Sequence, residues 1–219
     1  MQQCKSVSPE NLRGLPLFAG LPELELAHLC RVSNFRKVPR GTPLVRAGDI
    51  TDSLYVLLSG SSKVLNSDQE GREVILTILG AGDFFGEMGV LDGAPRSASV
   101  FATEACEIMQ LSGNEFRRLL SVHPKLAFYF MSRMGQRLRE ANRKIESLAL
   151  LDVFGRVAKL LVEFSEIREG CRVLTRKLTK QDIAKMIGAS REMVSRVMKD
   201  LEAEGFIEVQ DGRIVLNET

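Results

Sequence analysis

Glycines divide the chain between Phe35 and Leu111 into short apolar segments, and this pattern constrains the fold more than any other feature. The apolar runs Ser53 to Leu58, Val74 to Leu79 and Ala105 to Leu111 have the length of strands rather than of helices. The glycines that separate these runs are Gly41, Gly48, Gly60, Gly71, Gly80 and Gly82. Short strands with turn signals at this spacing predict a small antiparallel β-barrel or sandwich.

A change of periodicity after Leu111 marks the transition from strands to helices. Ser112 and Glu115 form a capping-box pattern, and a long helix is predicted after Pro124. Within it, apolar residues alternate four and three positions apart: Ala127, Met131, Met134, Leu138, Ala141, Ile145 and Leu148. This period of about 3.5 residues is typical of a coiled-coil seam and predicts a two-helix dimer interface. An amphipathic helix lying on its own barrel is the alternative.

Asp152 indicates where the domain boundary lies. The seam ends near Leu151, and Asp152 can cap a new helix because its carboxylate accepts from backbone N–H groups. The sequence thus predicts an α+β fold with three parts: a β-roll with flanking helices over 1–122, a dimerisation helix over 123–150 and a winged helix-turn-helix over 151–219. A short helix is also predicted to begin near Leu21-Pro22-Glu23.

The last part of the chain has the pattern of a helix-turn-helix followed by a hairpin. Thr179 and Asp182 can cap a short helix, and Gly188 permits the left-handed backbone of a tight turn. Ser190 can cap the next helix. Asp211-Gly212 is a favoured two-residue hairpin turn. Two capped helices joined by a tight turn, as predicted here at Gly188, are typical of DNA-binding proteins.

The second of these helices carries side chains that can read bases. Helical geometry leaves the following residues pointing outward: Arg191, Glu192, Ser195, Arg196 and Lys199. An arginine can donate to guanine O6 and N7, and a glutamate can accept from cytosine N4. The alternative is a solvated face on which Glu192 and Arg196 form a surface ion pair.

A second chemical signal lies between Gly82 and Ser99. Gly86 and Gly89 let the backbone approach a ligand closely and present N–H groups near the start of a short helix. Arg96 would neutralise a phosphate, Ser97 can add a hydroxyl donor, and Glu87 can accept from a ribose hydroxyl. Each residue alone could belong to an ordinary surface turn, so the signal lies in their order.

These motifs together resemble the cyclic-AMP receptor protein family, also called the catabolite activator and fumarate-nitrate regulator (CRP/FNR) family. The segment around Gly86 and Arg96 is similar to the phosphate-binding cassette of cyclic-nucleotide-binding domains. The ligand contacts that the resemblance implies are Gly86, Glu87, Met88, Arg96, Ser97, Ala141 and Asn142. The DNA contacts are Thr179, Lys180, Gln181, Ser190, Arg191, Glu192, Ser195, Arg196 and Lys199, with Thr179 to Gln181 on phosphates. The implied target is a palindrome with half-sites similar to TGTGA.

The resemblance makes cyclic AMP the expected effector, but one departure concerns ligand identity. Two adjacent hydroxyl residues contact the adenine in cyclic-AMP-responsive relatives, whereas Ala141 and Asn142 stand at the matching positions here. Alanine cannot hydrogen-bond through its side chain, and an asparagine amide can still read a purine edge. Relatives that respond to cyclic di-GMP or to no ligand are therefore the alternatives. The cluster-binding branch is disfavoured, because the chain lacks grouped N-terminal cysteines.

The sequence argues against other classes of protein. A cyclic-nucleotide-regulated enzyme or adaptor is the rival, but only His28 and His123 are available as histidines, and neither a G-x-S-x-G nor a Walker A motif occurs. Without a C-x-x-C pair, no metal is expected. The polar N-terminus and the lack of a long apolar run lead us to expect a cytoplasmic protein that does not contact a membrane. The expected partners are a second copy of the chain, double-stranded DNA and RNA polymerase.

Overall fold

The computed structural model describes residues 7–168, 171–175, 178–210 and 213–217. The chain forms two compact units, and the division falls between Arg137 and Leu138, inside a long helix. Within the described ranges, no helix combines the length and the hydropathy that a bilayer crossing requires.

The first unit contains two four-stranded antiparallel sheets with helices before and after them. Its helices are α1 (Pro9–Arg13), α2 (Glu23–Val32), α3 (Glu87–Asp92), α4 (Gly113–Val122) and the first half of α5 (Pro124–Leu150). Its strands are β1 (Asn34–Val38), β2 (Pro43–Val45), β3 (Ser53–Ser59), β4 (Ser62–Ser67), β5 (Glu73–Leu79), β6 (Phe84–Phe85), β7 (Ser99–Ala102) and β8 (Cys106–Ser112). The strand orders are β1-β8-β3-β6 and β2-β7-β4-β5. The predicted antiparallel β-roll is confirmed.

Strand β3 contributes to two apolar clusters because both of its faces are buried. Leu54 and Val56 point into a cluster that also contains Phe84, Phe116 and other buried side chains from the flanking helices. Tyr55 and Leu57, which alternate with them, pack into a second cluster with β2, β6, β7 and β8. Alternation of side chains along a strand sends neighbouring residues to opposite faces, so one short strand organises both clusters.

The two N-terminal helices differ in how well the sequence predicts them. The helix expected near Leu21-Pro22-Glu23 is confirmed as α2. The one-turn helix α1 was not predicted, although Ser8 and Asn11 form a capping box at its start. Its buried residue Leu12 packs into the apolar cluster of this unit, and Arg13 forms an ion pair with Glu23 of α2.

The second unit combines helices with a small antiparallel sheet. After the second half of α5, its elements are α6 (Val153–Glu163), β9 (Ser165–Arg168), β10 (Cys171–Leu174), α7 (Lys180–Ile187), α8 (Arg191–Ala203), β11 (Ile207–Gln210) and β12 (Arg213–Leu216). The strand order is β11-β12-β10-β9. Asp152 caps α6 by accepting from the backbone N–H of Gly155 at 2.8 Å, as its sequence context predicts.

The strands of this unit show where local patterns suffice and where they do not. Strands β11 and β12 pair as predicted, with Gln210 opposite Arg213, while the predicted Asp211-Gly212 turn lies outside the described residues. The pair β9 and β10 was not predicted. Each has four residues, and β10 is held by β12, whose Val215 pairs with Val173. The pairing of β9 with β10 is local, whereas the pairing of β10 with β12 joins residues more than 40 positions apart and leaves no local signal in a short strand.

Candidate functional site

Two glycines make room for a buried arginine at the start of α3. Gly86 follows β6 with a backbone φ of 83°, in the left-handed region that favours glycine. A Cβ atom at Gly86 would lie 2.5 Å from Nη1 of Arg96 and 3.0 Å from the carbonyl of Ser53. A Cβ at Gly89 would lie 2.8 Å from the carbonyl of Ala94. The glycines predicted from the sequence are therefore required by the close packing of this segment.

Arg96 is the central side chain of this site and is 5% exposed. Its Nε donates to the hydroxyl of Thr51 at 2.8 Å, and Nη2 donates to the carbonyl of Ser53 at 2.6 Å. Nη1 donates to the carbonyl of Gly86. A guanidinium carries more N–H donors than these contacts use.

The positive charge of Arg96 is not neutralised by these partners, which are two carbonyls and a hydroxyl. The ring of Tyr55, with its centroid 5.7 Å from Cζ, adds an uncharged contact. Among the described residues, no carboxylate forms an ion pair with Arg96. Burial of an unpaired cation is costly, so the site favours an anionic ligand.

Glu87 is also buried and faces α5. It is 7% exposed, and its Oε1 accepts from Nη1 of Arg137 at 2.8 Å. Arg137 donates as well to the carbonyl of Phe84, and its guanidinium lies 4.5 Å from the centroid of that ring. The carboxylate predicted to accept from a ribose hydroxyl thus already accepts from an arginine.

Arg137 and a second arginine on the same helix were not predicted as site residues from the sequence. Arg133 lies one turn earlier on α5 and forms an ion pair with Asp83 at 3.2 Å. The two arginines therefore fasten α5 to Asp83 and Glu87, on either side of β6. Their spacing of four positions on a predicted helix was the only signal that could have identified them.

The remaining predicted ligand contacts are exposed. The hydroxyl of Ser97 lies beside Met88 and donates weakly to its sulfur at 3.6 Å. Both side chains are exposed, and Met88 is 52% exposed. Ala141 and Asn142 are exposed on α5, in the second unit. The structure therefore brings Gly86, Glu87, Met88, Arg96 and Ser97 together within the first unit.

The helix-turn-helix has the caps and the turn that its sequence predicts. Thr179 and Asp182 form a reciprocal capping box on α7, and Gly188 ends this helix with φ 64°. Ser190 caps α8 by accepting from the backbone N–H of Met193 at 3.2 Å. The apolar faces of the two helices are buried: Ile183, Ala184, Ile187, Val194, Met198 and Leu201.

The opposite face of α8 is polar and exposed. Arg191, Glu192, Arg196 and Lys199 are exposed, and Ser195 is half-buried. At the helix starts, Thr179, Lys180, Gln181 and Ser190 are exposed as well. Within the described part of the chain, Glu192 and Arg196 form no ion pair. The backbone N–H of Glu192 and the hydroxyl of Ser190 hold the pKa of the Glu192 carboxyl below its usual value.

Exposed apolar side chains run along α5. Of the predicted seam, the exposed members are Met131, Leu138, Ala141, Ile145 and Leu148, and Ala127 is half-buried. Met134 differs, because it packs partly against the apolar cluster of the first unit. Phe128 was not assigned to the seam but is 67% exposed. In the first half of α5, the exposed apolar stripe therefore includes Phe128 and leaves out Met134, unlike the predicted seam.

Comparison with known proteins identifies both regions. Residues 35–123 match the model of the cyclic nucleotide-binding domain, and residues 155–219 match the Crp-like helix-turn-helix domain. The chain is 38% identical over 204 residues to the cAMP-activated global transcriptional regulator CRP of Pasteurella multocida, covering 89% of this chain and 94% of that protein. It is 36% identical to the cAMP-activated regulator Vfr of Pseudomonas aeruginosa, covering 87% and 91% of the two chains.

Solved structures agree with this assignment. The cyclic di-GMP responsive global regulator CLP of Xanthomonas campestris superposes with a TM-score of 0.75 at 29% identity, over 88% of this chain and 97% of that one. The cyclic-nucleotide-binding roll, the long helix and the helix-turn-helix thus occur in the order found in these relatives. The chain belongs to the CRP/FNR family and is a CRP-like transcription regulator with a cyclic-nucleotide-binding domain and a DNA-binding helix-turn-helix.

Proposed function

We propose that this protein works as a homodimer in which a cyclic nucleotide, held by its phosphate at Arg96, controls binding of the α8 face to a DNA palindrome. The observation that carries the proposal is the charge of Arg96, which is buried and has only uncharged hydrogen-bond partners. Ser97 would add a hydroxyl donor to the phosphate, and Glu87 would accept from the ribose.

Cyclic AMP is the effector that we propose first. The relatives of 36–38% identity are named as cAMP-activated regulators. Cyclic di-GMP is the second candidate, because the regulator CLP responds to it and because Ala141 and Asn142 replace a pair of hydroxyl residues. An amide at position 142 offers donors and an acceptor to a purine edge, whereas Ala141 offers neither.

We propose that the dimer seam on α5 follows the exposed side chains rather than the register expected from the sequence. Phe128, Met131, Leu138 and Ile145 are each more than half exposed. Together with Gly135 and Asn142 they alternate three and four positions apart, as a two-stranded coiled coil requires. Met134 is not part of the proposed seam, because its side chain packs against the apolar cluster of its own β-roll.

Two ion pairs between α5 and the segment that contains the proposed ligand site offer a route by which the ligand could control DNA binding. Arg137 holds Glu87, and Arg133 holds Asp83. A ribose hydroxyl that donates to Glu87 competes with Arg137 for the same carboxylate. Ligand binding then shifts the population between two arrangements of the long helices, one of which suits DNA. Recognition helices of a dimer must lie about 34 Å apart to enter successive turns of the major groove.

On the DNA side, we propose half-sites similar to TGTGA. Arg191, Glu192 and Arg196 would contact base edges, and Thr179, Lys180 and Gln181 would contact phosphates. The exposure of these side chains supports the assignment. RNA polymerase is proposed as a further partner, on the family resemblance alone.

The central experiment is titration of the purified protein with cyclic AMP, cyclic GMP and cyclic di-GMP. Binding is measured by the heat released and, in parallel, by the affinity for a palindromic operator with TGTGA half-sites. We expect one nucleotide to bind and to change the operator affinity. A protein that binds the operator equally well with and without every nucleotide contradicts ligand control.

Replacing Arg191 by alanine is expected to weaken operator binding by about 1 to 3 kcal/mol and to relax the preference at one guanine. The physical reason is the loss of two hydrogen bonds that only guanine accepts in this geometry. Electrophoretic mobility shifts on operators that carry each base at that position measure both effects.

Lys180→Ala serves as the control, because a phosphate contact carries no base preference. This variant should weaken binding to all sequences equally. If Arg191→Ala also lowers affinity uniformly, Arg191 is a phosphate contact and the base-reading assignment is wrong.

A further inference from the structure

The segment Thr51 to Ser53 forms one wall of the Arg96 site, and a carboxylate stands in its middle. Thr51 accepts from Nε of Arg96 through its hydroxyl, and Ser53 accepts from Nη2 through its carbonyl. Asp52, between them, does not bond to Arg96. Its side chain is held instead by α4, so the carboxylate that stands between two partners of Arg96 is bonded elsewhere.

Arg117 on α4 holds this carboxylate with both terminal nitrogens. Nη1 and Nη2 donate to the two oxygens of Asp52 at 3.0 and 2.8 Å. Nη1 also donates to the carbonyl of Val90 in α3 at 2.7 Å. One guanidinium therefore joins the wall at Asp52 to the helix that begins at Glu87. Forked pairing of this kind fixes the direction of the carboxylate as well as its distance.

The backbone of α4 is shaped to accept the same carboxylate. The N–H of Gly113 donates to the backbone carbonyl of Asp52 at 3.0 Å. A Cβ atom at Gly113 would collide with the Asp52 carboxyl group, so the carboxylate keeps its present position only because this residue is a glycine. Two features thus place the Asp52 carboxylate against α4: Arg117 donates to both of its oxygens, and Gly113 leaves the space that it occupies.

The charges in this arrangement are coupled. Hydrogen bonds from Arg117 hold the pKa of the Asp52 carboxyl below its usual value, and the charge of Arg96 makes the weakest contribution in the same direction. The Asp52 carboxylate is therefore bonded to Arg117 and is also attracted electrostatically by Arg96. Without Arg117 its carboxylate would be an unpaired negative charge beside a cation that a phosphate has to reach.

We propose that Arg117 is a positioning residue for the ligand site: it holds the Asp52 carboxylate against α4 and so leaves the charge of Arg96 to the phosphate of the nucleotide. This inference rests on the proposed function, because it presupposes that a cyclic nucleotide binds at Arg96. The role of Arg117 is electrostatic and acts through Asp52. Arg117 itself does not touch the ligand.

The test compares Arg117→Gln, Asp52→Asn and the double variant by calorimetric titration with cyclic AMP and, separately, with cyclic di-GMP. Arg117→Gln is expected to weaken binding roughly three- to tenfold, because the released carboxylate competes with the phosphate for Arg96. Asp52→Asn should leave the affinity unchanged or raise it. The double variant should return to within about twofold of the wild type, since the competing charge is gone.

The double variant separates this role from a purely structural one. Both Arg117→Gln and the double variant lose the same half-exposed ion pair, so their melting temperatures should fall by similar small amounts while their affinities differ. The matched control is the pair Asp68 and Arg72, also an exposed carboxylate–arginine contact of the first unit. The corresponding substitutions there should not change nucleotide binding.

Three results would overturn the inference or its premise. If the double variant binds nucleotide as weakly as Arg117→Gln does, Arg117 acts by maintaining the conformation of the segment Thr51 to Ser53 and not through the charge of Asp52. Wild-type affinity in Arg117→Gln would mean that Asp52 does not compete for Arg96. A wild-type protein that binds neither nucleotide would contradict the proposed function itself, and that outcome is recognised before any variant is measured.

Discussion

Replacing Arg96 by alanine is expected to weaken cyclic nucleotide binding by roughly 30-fold or more, which is the cost of removing one partner from a buried charge pair. Arg96 is 5% exposed, and its present partners are uncharged. A cyclic phosphate would lose the cation that we propose as its counter-charge. Calorimetric titration of the variant with cyclic AMP and cyclic di-GMP measures the effect.

Two further variants keep this prediction falsifiable. Arg96→Ala also removes donors from the carbonyls of Ser53 and Gly86, so its melting curve has to be compared with that of the wild type. Arg96→Lys retains the charge without the planar fork and should bind with intermediate affinity. Arg40→Ala, at an exposed position of the same unit, is the control. Unchanged affinity in a folded Arg96→Ala protein would rule out the assigned phosphate site.

Placing glutamate at both Leu138 and Ile145 is expected to convert the proposed dimer into a monomer at micromolar concentration. The two side chains are 64% and 65% exposed in the single chain and would lie in the centre of the proposed seam. Four carboxylates buried between two helices carry a desolvation cost of several kcal/mol and repel one another. Sedimentation equilibrium gives the mass, and operator binding should be lost with the dimer because half-sites are then bound singly.

Gln136→Glu provides the matched control for these substitutions. It changes the charge by the same amount per site, and it is exposed on α5 but lies beside the stripe rather than in it. The control should remain dimeric. If the Leu138 and Ile145 double variant also remains dimeric, the interface does not lie on this stripe of α5.

The sequence alone determined the features that depend on neighbours within a few positions. The capping box of Thr179 and Asp182, the left-handed turn at Gly188 and the cap at Ser190 all follow from local backbone chemistry, and the structure confirms each. The glycine-punctuated strands and the long helix were predictable for the same reason. Periodicity is a local property that a single sequence displays.

The tertiary structure decided the features that join distant parts of the chain. Glu87 meets Arg137 across 50 positions, and Asp52 meets Arg117 across 65. Met134 fits a heptad pattern in sequence, yet it packs on the β-roll, and this moves the exposed stripe toward Phe128. Charge pairing and face burial depend on which surfaces folding brings together. Periodicity along one helix cannot distinguish the side that packs on its own domain from the side left exposed for a second chain.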